Sequence, residues 1–194
     1  MHAIRPILFL DYDGVLHPDR AVLRRGRPAL AGGGHLFMWA GLLEPLVAAH
    51  PALRIVLSTS WARELGFSRA RRYLPVTLQA RVIGATWHSG MADGGGRRRM
   101  ERDTWWDMHT RYQQIRRYVQ RDALQHWLAL DDHPEGWATA DAAHLLQTDS
   151  DKGISCPLIQ SELAARLQQL VQAAADSQAA LTGVLTTKAA PSYP

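Results

Sequence analysis

Three short apolar runs in this chain each end abruptly in polar side chains, and that recurrence constrains its fold more than anything else in the sequence. The first, Ile4 to Leu10, is interrupted by Arg5-Pro6 and ends in Asp11-Tyr12-Asp13-Gly14. The second, Leu53 to Leu57, ends in Ser58-Thr59-Ser60, and the third, Trp127 to Leu130, ends in Asp131-Asp132. Runs this short, apolar on both faces, read as buried strands of a parallel sheet. A fourth short strand is expected at His144 to Leu146. Segments with helical spacing alternate with these runs. Leu42, Leu43, Leu46 and Val47 mark a helix within Trp39 to Ala49, and Ile115, Tyr118 and Val119 mark another within Thr110 to Gln120. The expected class is therefore α/β with a central parallel sheet. Ligands of such sheets bind beyond the carboxyl ends of the strands, so the three polar sets are expected to meet at one edge.

The remaining segments are read from composition. Residues 17–35 are rich in arginine, glycine and proline without periodicity and are expected to form a loop. The span 61–110 is expected to hold one or two short helices in Arg63 to Tyr73, stopped before Pro75, and a loop at Asp93-Gly94-Gly95-Gly96-Arg97. Ser155 is the expected N-cap of a last helix running to about Ala175, with Pro157 in its first turn. Residues 176–194, rich in Ala, Thr, Ser and Pro, are expected to be a disordered tail behind a single domain at 1–175. A chain of 194 residues, 46% hydrophobic, can bury one core of ordinary size. It has no stretch near the roughly 20 apolar residues of a membrane helix, and its N-terminus lacks the pattern of a signal peptide. The single cysteine, Cys156, excludes an internal disulfide and a multi-cysteine zinc site. A cytoplasmic location with no membrane partner is expected.

Basic residues total 22 against 18 acids, a net +4, and only Lys152 and Lys188 are lysine. Arg97, Arg98, Arg99, Arg102, Arg111, Arg116, Arg117 and Arg121 crowd residues 97–121, interleaved with Trp105, Trp106, Tyr112 and Tyr118. Such a stretch suits a polyanion such as nucleic acid. It equally suits an amphipathic helix with a solvated arginine face.

Carboxylates gathered at one sheet edge repel one another unless a cation sits among them. Oxygen ligands with few histidines point to Mg²⁺ rather than zinc. Mg²⁺ pairs carboxylates with phosphate oxygens, so the expected substrate is a phosphate ester. An aspartate can attack phosphorus and form an aspartyl-phosphate, while a second carboxyl protonates the leaving oxygen and then activates water. Asp11 and Asp13 are spaced so that one loop can present both, with Gly14 allowing a tight turn. The bland alternative for this pair is a surface turn capping a helix.

Ile7-Leu8-Phe9-Leu10-Asp11-Tyr12-Asp13-Gly14-Val15-Leu16-His17 resembles the first motif of the haloacid dehalogenase-like (HAD) phosphatase superfamily. The resemblance implies a Rossmann-like, three-layer α/β/α fold with a minimal cap. It also implies Asp11 as nucleophile and Asp13 as general acid/base, with Asp13 lending Mg²⁺ a backbone carbonyl. Ile55-Val56-Leu57-Ser58 looks like the second motif, which makes Ser58, with Thr59 beside it, a phosphate-binding candidate. Ser58 could instead cap the following helix, a role open also to Ser60. Leu128-Ala129-Leu130-Asp131-Asp132 looks like the fourth motif, so that Asp11, Asp13, Asp131 and Asp132 form the implied metal set, with Asp132 favoured as the direct ligand. The third motif expects a lysine or arginine before the fourth. Arg111, opening Arg111-Tyr112-Gln113-Gln114-Ile115, is the first candidate, with Arg116, Arg117 and Lys152 as rivals. His17 reads as an exposed loop histidine, and His133 and Trp137 read as packing residues.

The intervals between motifs leave little room for a separate cap domain, although 61–110 could form a lid. An open site suits a large substrate, and the Ser-Thr-Ser-Trp at 58–61 resembles the small HAD domains associated with RNA-repair proteins. A terminal phosphate of a nucleic acid is the expected target. The alternatives are a small-metabolite phosphatase acting on nucleotides or sugar phosphates, and a non-catalytic phosphate-binding module.

Overall fold

In the computed structural model, which describes residues 4–87 and 105–188, strand β1 (Ile7–Leu10) is buried along its whole length at the centre of a parallel sheet. The sheet has five strands in the order β5-β4-β1-β6-β7, with β4 Arg54–Leu57, β5 Val82–Ala85, β6 Trp127–Asp131 and β7 Leu145–Gln147. All four pairings are parallel. The strands alternate their side chains between two cores. Leu8, Leu10, Ile55, Leu57, Leu128 and Leu130 face one layer, which holds helices α1 (Ala40–Ala48), α3 (Phe67–Arg72), α4 (Val76–Gln79) and α6 (Pro157–Lys188). Ile7, Phe9, Val56, Trp127 and Ala129 face the other, packed by Ile115, Tyr118 and Val119 of α5 (Arg111–Arg121). Full burial of each large apolar side chain contributes about 1.5–3 kcal/mol, and both faces of the sheet receive it. The result is the expected Rossmann-like α/β/α arrangement.

Register decides where the chemistry sits. Leu10 pairs with Leu57 on one side and with Leu130 on the other. One step beyond these matched leucines stand Asp11, Ser58 and Asp131, on adjacent strand ends. The chain leaves β1 first toward β4 and β5 and later toward β6 and β7, so this point is also where the strand order reverses, the usual ligand crevice of such sheets.

Several expectations are corrected. The 17–35 segment is not a loop throughout: β2 (Ala21–Arg24) and β3 (Arg27–Leu30) form an antiparallel hairpin. Its turn residues Arg25 and Gly26 both have positive φ (51° and 73°), as a two-residue type I′ turn requires. β2 is largely exposed and β3 mostly half-buried, with no position of either fully buried, so no apolar alternation marked them. The segment after β4 contains α2 (Ser60–Glu64), α3, α4 and the edge strand β5, and Trp61, Ala62, Ala70, Leu74 and Leu78 all enter the main core. Residues 61–87 are thus body rather than lid; the Asp93–Arg97 loop lies outside the described residues.

Helix α6 continues to Lys188, well past the expected end near Ala175. Contacts beyond that point are specific: the Gln178 side chain accepts a hydrogen bond from the Ile4 N–H (2.8 Å), and Ser177 meets His126 (3.0 Å). Ser155 does not cap this helix: the helix opens at Pro157, which puts Cys156 in the N-cap position, its carbonyl accepting from the Gln160 N–H (3.1 Å), while the Ser155 hydroxyl donates back to the Lys152 carbonyl (2.5 Å). No described helix is long and apolar enough to cross a membrane.

Candidate active site

The loop after β1 folds back on itself at once. The Leu16 N–H donates to the Tyr12 carbonyl (2.9 Å), and Gly14 adopts φ 66°. That conformation suits glycine, and space demands it as well. A Cβ at Gly14 would lie 2.2 Å from Oδ2 of Asp132, so the loop from β1 touches the carboxylate that follows β6. Thr148, beyond β7, ties the same loop down by donating from Oγ1 to the Gly14 carbonyl (2.8 Å). Gly14→Ala is therefore expected to cost about 1–3 kcal/mol in stability through its backbone conformation. It should also displace Asp132 and weaken divalent-cation activation by about 10-fold or more. Thermal melts and a metal titration of activity check both, and an unchanged metal dependence would contradict the contact.

Asp11 is 1% exposed. Its Oδ1 accepts from the Tyr12 N–H (2.7 Å), and its Oδ2 accepts from Nη2 of Arg111 (2.8 Å). Arg111 opens α5, where a capping box fixes the first turn. Thr110 Oγ1 accepts from the Gln113 N–H, and the Gln113 side chain accepts from the Thr110 N–H. From that position Arg111 also reaches Asp131, with Nε 3.2 Å from Oδ2. Its rivals point elsewhere. Arg116 pairs with Asp141 (3.1 Å), Arg117 lies over the Trp105 ring (4.3 Å), and the exposed Lys152 side chain has no partner among the described residues. The structure joins only Arg111 to the acidic centre.

Asp131 is also held by the His133 N–H, which donates to its Oδ1 (3.0 Å), while His133 Nδ1 lies 2.7 Å from Oδ1 of Asp132. Asp11, Asp131, Asp132 and His133 each place one ligand atom within 4.8 Å of the others, a group that could hold a metal ion. The Asp13 carboxylate is not in that group, being engaged by His17 and Trp61. Two expectations change here. His133 belongs to the acidic cluster rather than to packing, and His17 is 0% exposed rather than solvated. Trp137 does serve packing, against the second core and the Tyr112 ring.

Burial drives the Asp11 carboxyl well above the ordinary range, Arg111 opposes this, and Asp131 and Asp13 add to it. Burial alone would raise Asp132, but hydrogen bonds from His133 and Ser150 carry it below the usual value. His133, bonded to Asp131 and Asp132, is pushed up to about 11. Asp11, Asp131 and Asp132, with Asp13 close by, thus outnumber Arg111 and His133, an excess of acidic groups in a largely buried centre. The acids fit a hard divalent cation by donor type and by this imbalance.

Buried donors without a hydrogen-bond partner also belong to residues beside Asp11, among them Ser58 Oγ and Arg111 Nη1. Buried polar groups are rarely orphaned; Ser58 follows the strand next to that of Asp11, and Arg111 reaches Asp11 from the first turn of α5. Thr59, by contrast, serves as N-cap of α2 and accepts from the Trp61 N–H (3.4 Å), the capping role that the sequence left open to Ser58 or Ser60.

Sequence reasoning missed His17, Trp61, Thr148 and Asp19. Burial, followed by Asp132 and Asp13, raises the Asp19 carboxyl, which places that side chain in the field of the centre. In the 105–121 segment Trp106 and Tyr118 are buried, and Arg121 pairs with Asp122 (2.7 Å). Arg97, Arg98, Arg99 and Arg102 lie outside the described residues.

Comparisons with curated proteins and with solved structures give no match. A family model described as the HAD domain in Swiss Army Knife RNA repair proteins matches residues 7–159, a span that holds every member of the cluster above. The chain belongs to that family of HAD domains.

Proposed function

We propose that this protein is a Mg²⁺-dependent phosphomonoesterase working through an aspartyl-phosphate on Asp11, and that its substrate is a terminal phosphate of a nucleic acid. The observation that carries the chemistry is the buried Asp11 carboxylate, set among Arg111, Asp131 and Asp132 with unpartnered donors beside it. Ser58 Oγ and Arg111 Nη1 receive the phosphoryl oxygens. Asp11, Asp131 and Asp132 would hold the cation, which would supply neutralising charge for the phosphoryl group. Oδ2 of Asp11 attacks phosphorus and the ester P–O bond breaks as Asp13 gives its proton to the departing oxygen. Asp13 then takes a proton from water, which attacks phosphorus and cleaves the acyl-phosphate. Inorganic phosphate leaves and both aspartates are restored.

The surroundings favour a large anionic substrate. A cavity of about 110 Å³ opens between the β2–β3 hairpin and α2, lined by Val22, Leu23, Pro28, Trp61 and Leu65, with Asp13 in its wall. It can take the group attached to the leaving oxygen. The hairpin continues past it to Arg24, Arg25 and Arg27, all exposed and without partners among the described residues. These guanidiniums suit the backbone phosphates next to a polynucleotide end, and the family's description in RNA repair agrees with that reading. Hydrolysis of 3′- and 5′-phosphorylated oligonucleotides should exceed that of sugar phosphates. Reversing Arg24, Arg25 and Arg27 together to glutamate should lower oligonucleotide kcat/KM by about 10-fold or more and flatten its salt dependence. The same change should affect p-nitrophenyl phosphate far less. Activity confined to small metabolites would reject the nucleic-acid assignment in favour of a metabolite phosphatase.

A further inference from the structure

His17 and Trp61 are the two side chains that grip Asp13, and the mechanism above gives neither a role. His17 Nε2 lies 3.0 Å from Asp13 Oδ1, and Trp61 Nε1 donates to Asp13 Oδ2 (2.8 Å). The tautomer of His17 follows from its other nitrogen. The Phe37 N–H donates to His17 Nδ1 (3.4 Å), and a backbone N–H can only donate. Nδ1 therefore carries the lone pair, Nε2 carries the hydrogen, and the ring donates to Asp13. Phe37 makes this contact from a left-handed backbone conformation, φ 60°, which is costly for a bulky residue and is kept where the surroundings demand it. The rings themselves are locked. His17, Phe37, Trp61 and Tyr73 meet at centroid distances of 5.0–5.7 Å, mostly edge to face.

We propose that His17 and Trp61 are positioning residues. Each presents one N–H to one oxygen of Asp13, and together they hold that carboxylate in the orientation in which it exchanges a proton with the leaving oxygen and with water. This rests on the acid/base role given to Asp13 above. A carboxylate on a short side chain has two torsions to restrict, and a pair of fixed donors, one on each oxygen, restricts both. The strained Phe37 backbone and the ring cluster serve to fix the donors in turn. Misplacement of a catalytic group by about an ångström costs up to about 10²-fold in rate, which sets the scale expected for losing either donor.

The test compares kcat/KM for an alkyl phosphate, whose leaving oxygen needs a proton, with that for p-nitrophenyl phosphate, whose leaving group needs little help. Trp61→Phe keeps an aromatic ring but loses the indole N–H together with one ring of the fused pair; His17→Leu removes the imidazole donor. Each is expected to lower alkyl-phosphate kcat/KM by about 10- to 100-fold and p-nitrophenyl phosphate kcat/KM by a clearly smaller factor. His17→Gln supplies an amide oxygen for the Phe37 N–H and an amide N–H for Asp13, so it should recover most of what His17→Leu loses. A purely structural role would lower both substrates equally and would not be rescued by glutamine. Asp13→Asn is the reference. If Asp13→Asn itself shows no leaving-group selectivity, the acid/base reading falls and this proposal with it. If Asp13→Asn discriminates between the substrates while Trp61→Phe and His17→Leu do not, or while they raise activity, only the positioning role is overturned.

Discussion

Asp11→Asn is expected to lower kcat/KM by at least about 10³-fold while leaving the protein folded. The amide cannot attack phosphorus, and no other described carboxylate occupies its place between Arg111 and the Tyr12 N–H. The fold should not suffer. Burial raises the Asp11 carboxyl well above its ordinary value, with Asp131 and Asp13 adding to the effect and Arg111 opposing it. A carboxyl raised in the folded state binds its proton more tightly there than in the unfolded chain, so stability falls as pH climbs from the unfolded value through the folded one. At neutral pH, above the unfolded value, the raised Asp11 carboxyl therefore costs stability in metal-free buffer, and the neutral amide removes that cost. The melting temperature of Asp11→Asn without metal should match or exceed that of the wild type. Loss of activity accompanied by unfolding would leave the nucleophile without support.

Arg111→Met carries the second large effect, and there both activity and stability should fall. The guanidinium is buried between Asp11 and Asp131, and both carboxylates raise its pKa against the contrary pull of burial. Removing it leaves two buried acids facing one another without their cation, a loss of about 3–5 kcal/mol. Losing a donor aimed at developing charge should reduce kcat by a further factor of about 10²–10³. Mg²⁺ should raise the melting temperature of this variant more than that of the wild type, because the ion would supply part of the missing positive charge. Arg111→Lys should recover only part of the activity, since a single ammonium cannot reproduce a fork that reaches one carboxylate through Nη2 and the other through Nε. A stable Arg111→Met with normal activity would move the basic role to another residue, with Lys152 the first to try.

The site's framework was legible because buried parallel strands announce themselves as unbroken apolar runs. Ile7–Leu10, Arg54–Leu57 and Trp127–Asp131 lie where such runs stand in the sequence, and their in-step register carries Asp11, Ser58 and Asp131 to one crevice. Arg111 stood first among its neighbours by resemblance, but only its place in space sets it apart from them. Sequence shows four arginines within one helix, while the Thr110–Gln113 capping box makes Arg111 the one in the first turn, beside the strand ends. The hairpin was hidden because none of its strand positions is fully buried, so it leaves no apolar period. The end of α6 was hidden because alanine, serine and threonine read as a tail until Ser177 and Gln178 are seen against His126 and the start of the chain. His17 was misplaced for a related reason. Its burial comes from Phe37 and Trp61, far away in sequence, and nothing local distinguishes a buried donor from a solvated ring.

The claim that matters most is that Asp11 becomes phosphorylated during turnover. Rapid acid quench of the enzyme in steady state with substrate and Mg²⁺, followed by borohydride reduction and peptide mass mapping, converts an aspartyl-phosphate to homoserine at the modified position. The account predicts homoserine at residue 11, dependent on substrate and absent from Asp11→Asn. Homoserine at Asp13, Asp131 or Asp132 instead, or a phosphoryl group recovered on a residue other than aspartate, would contradict it.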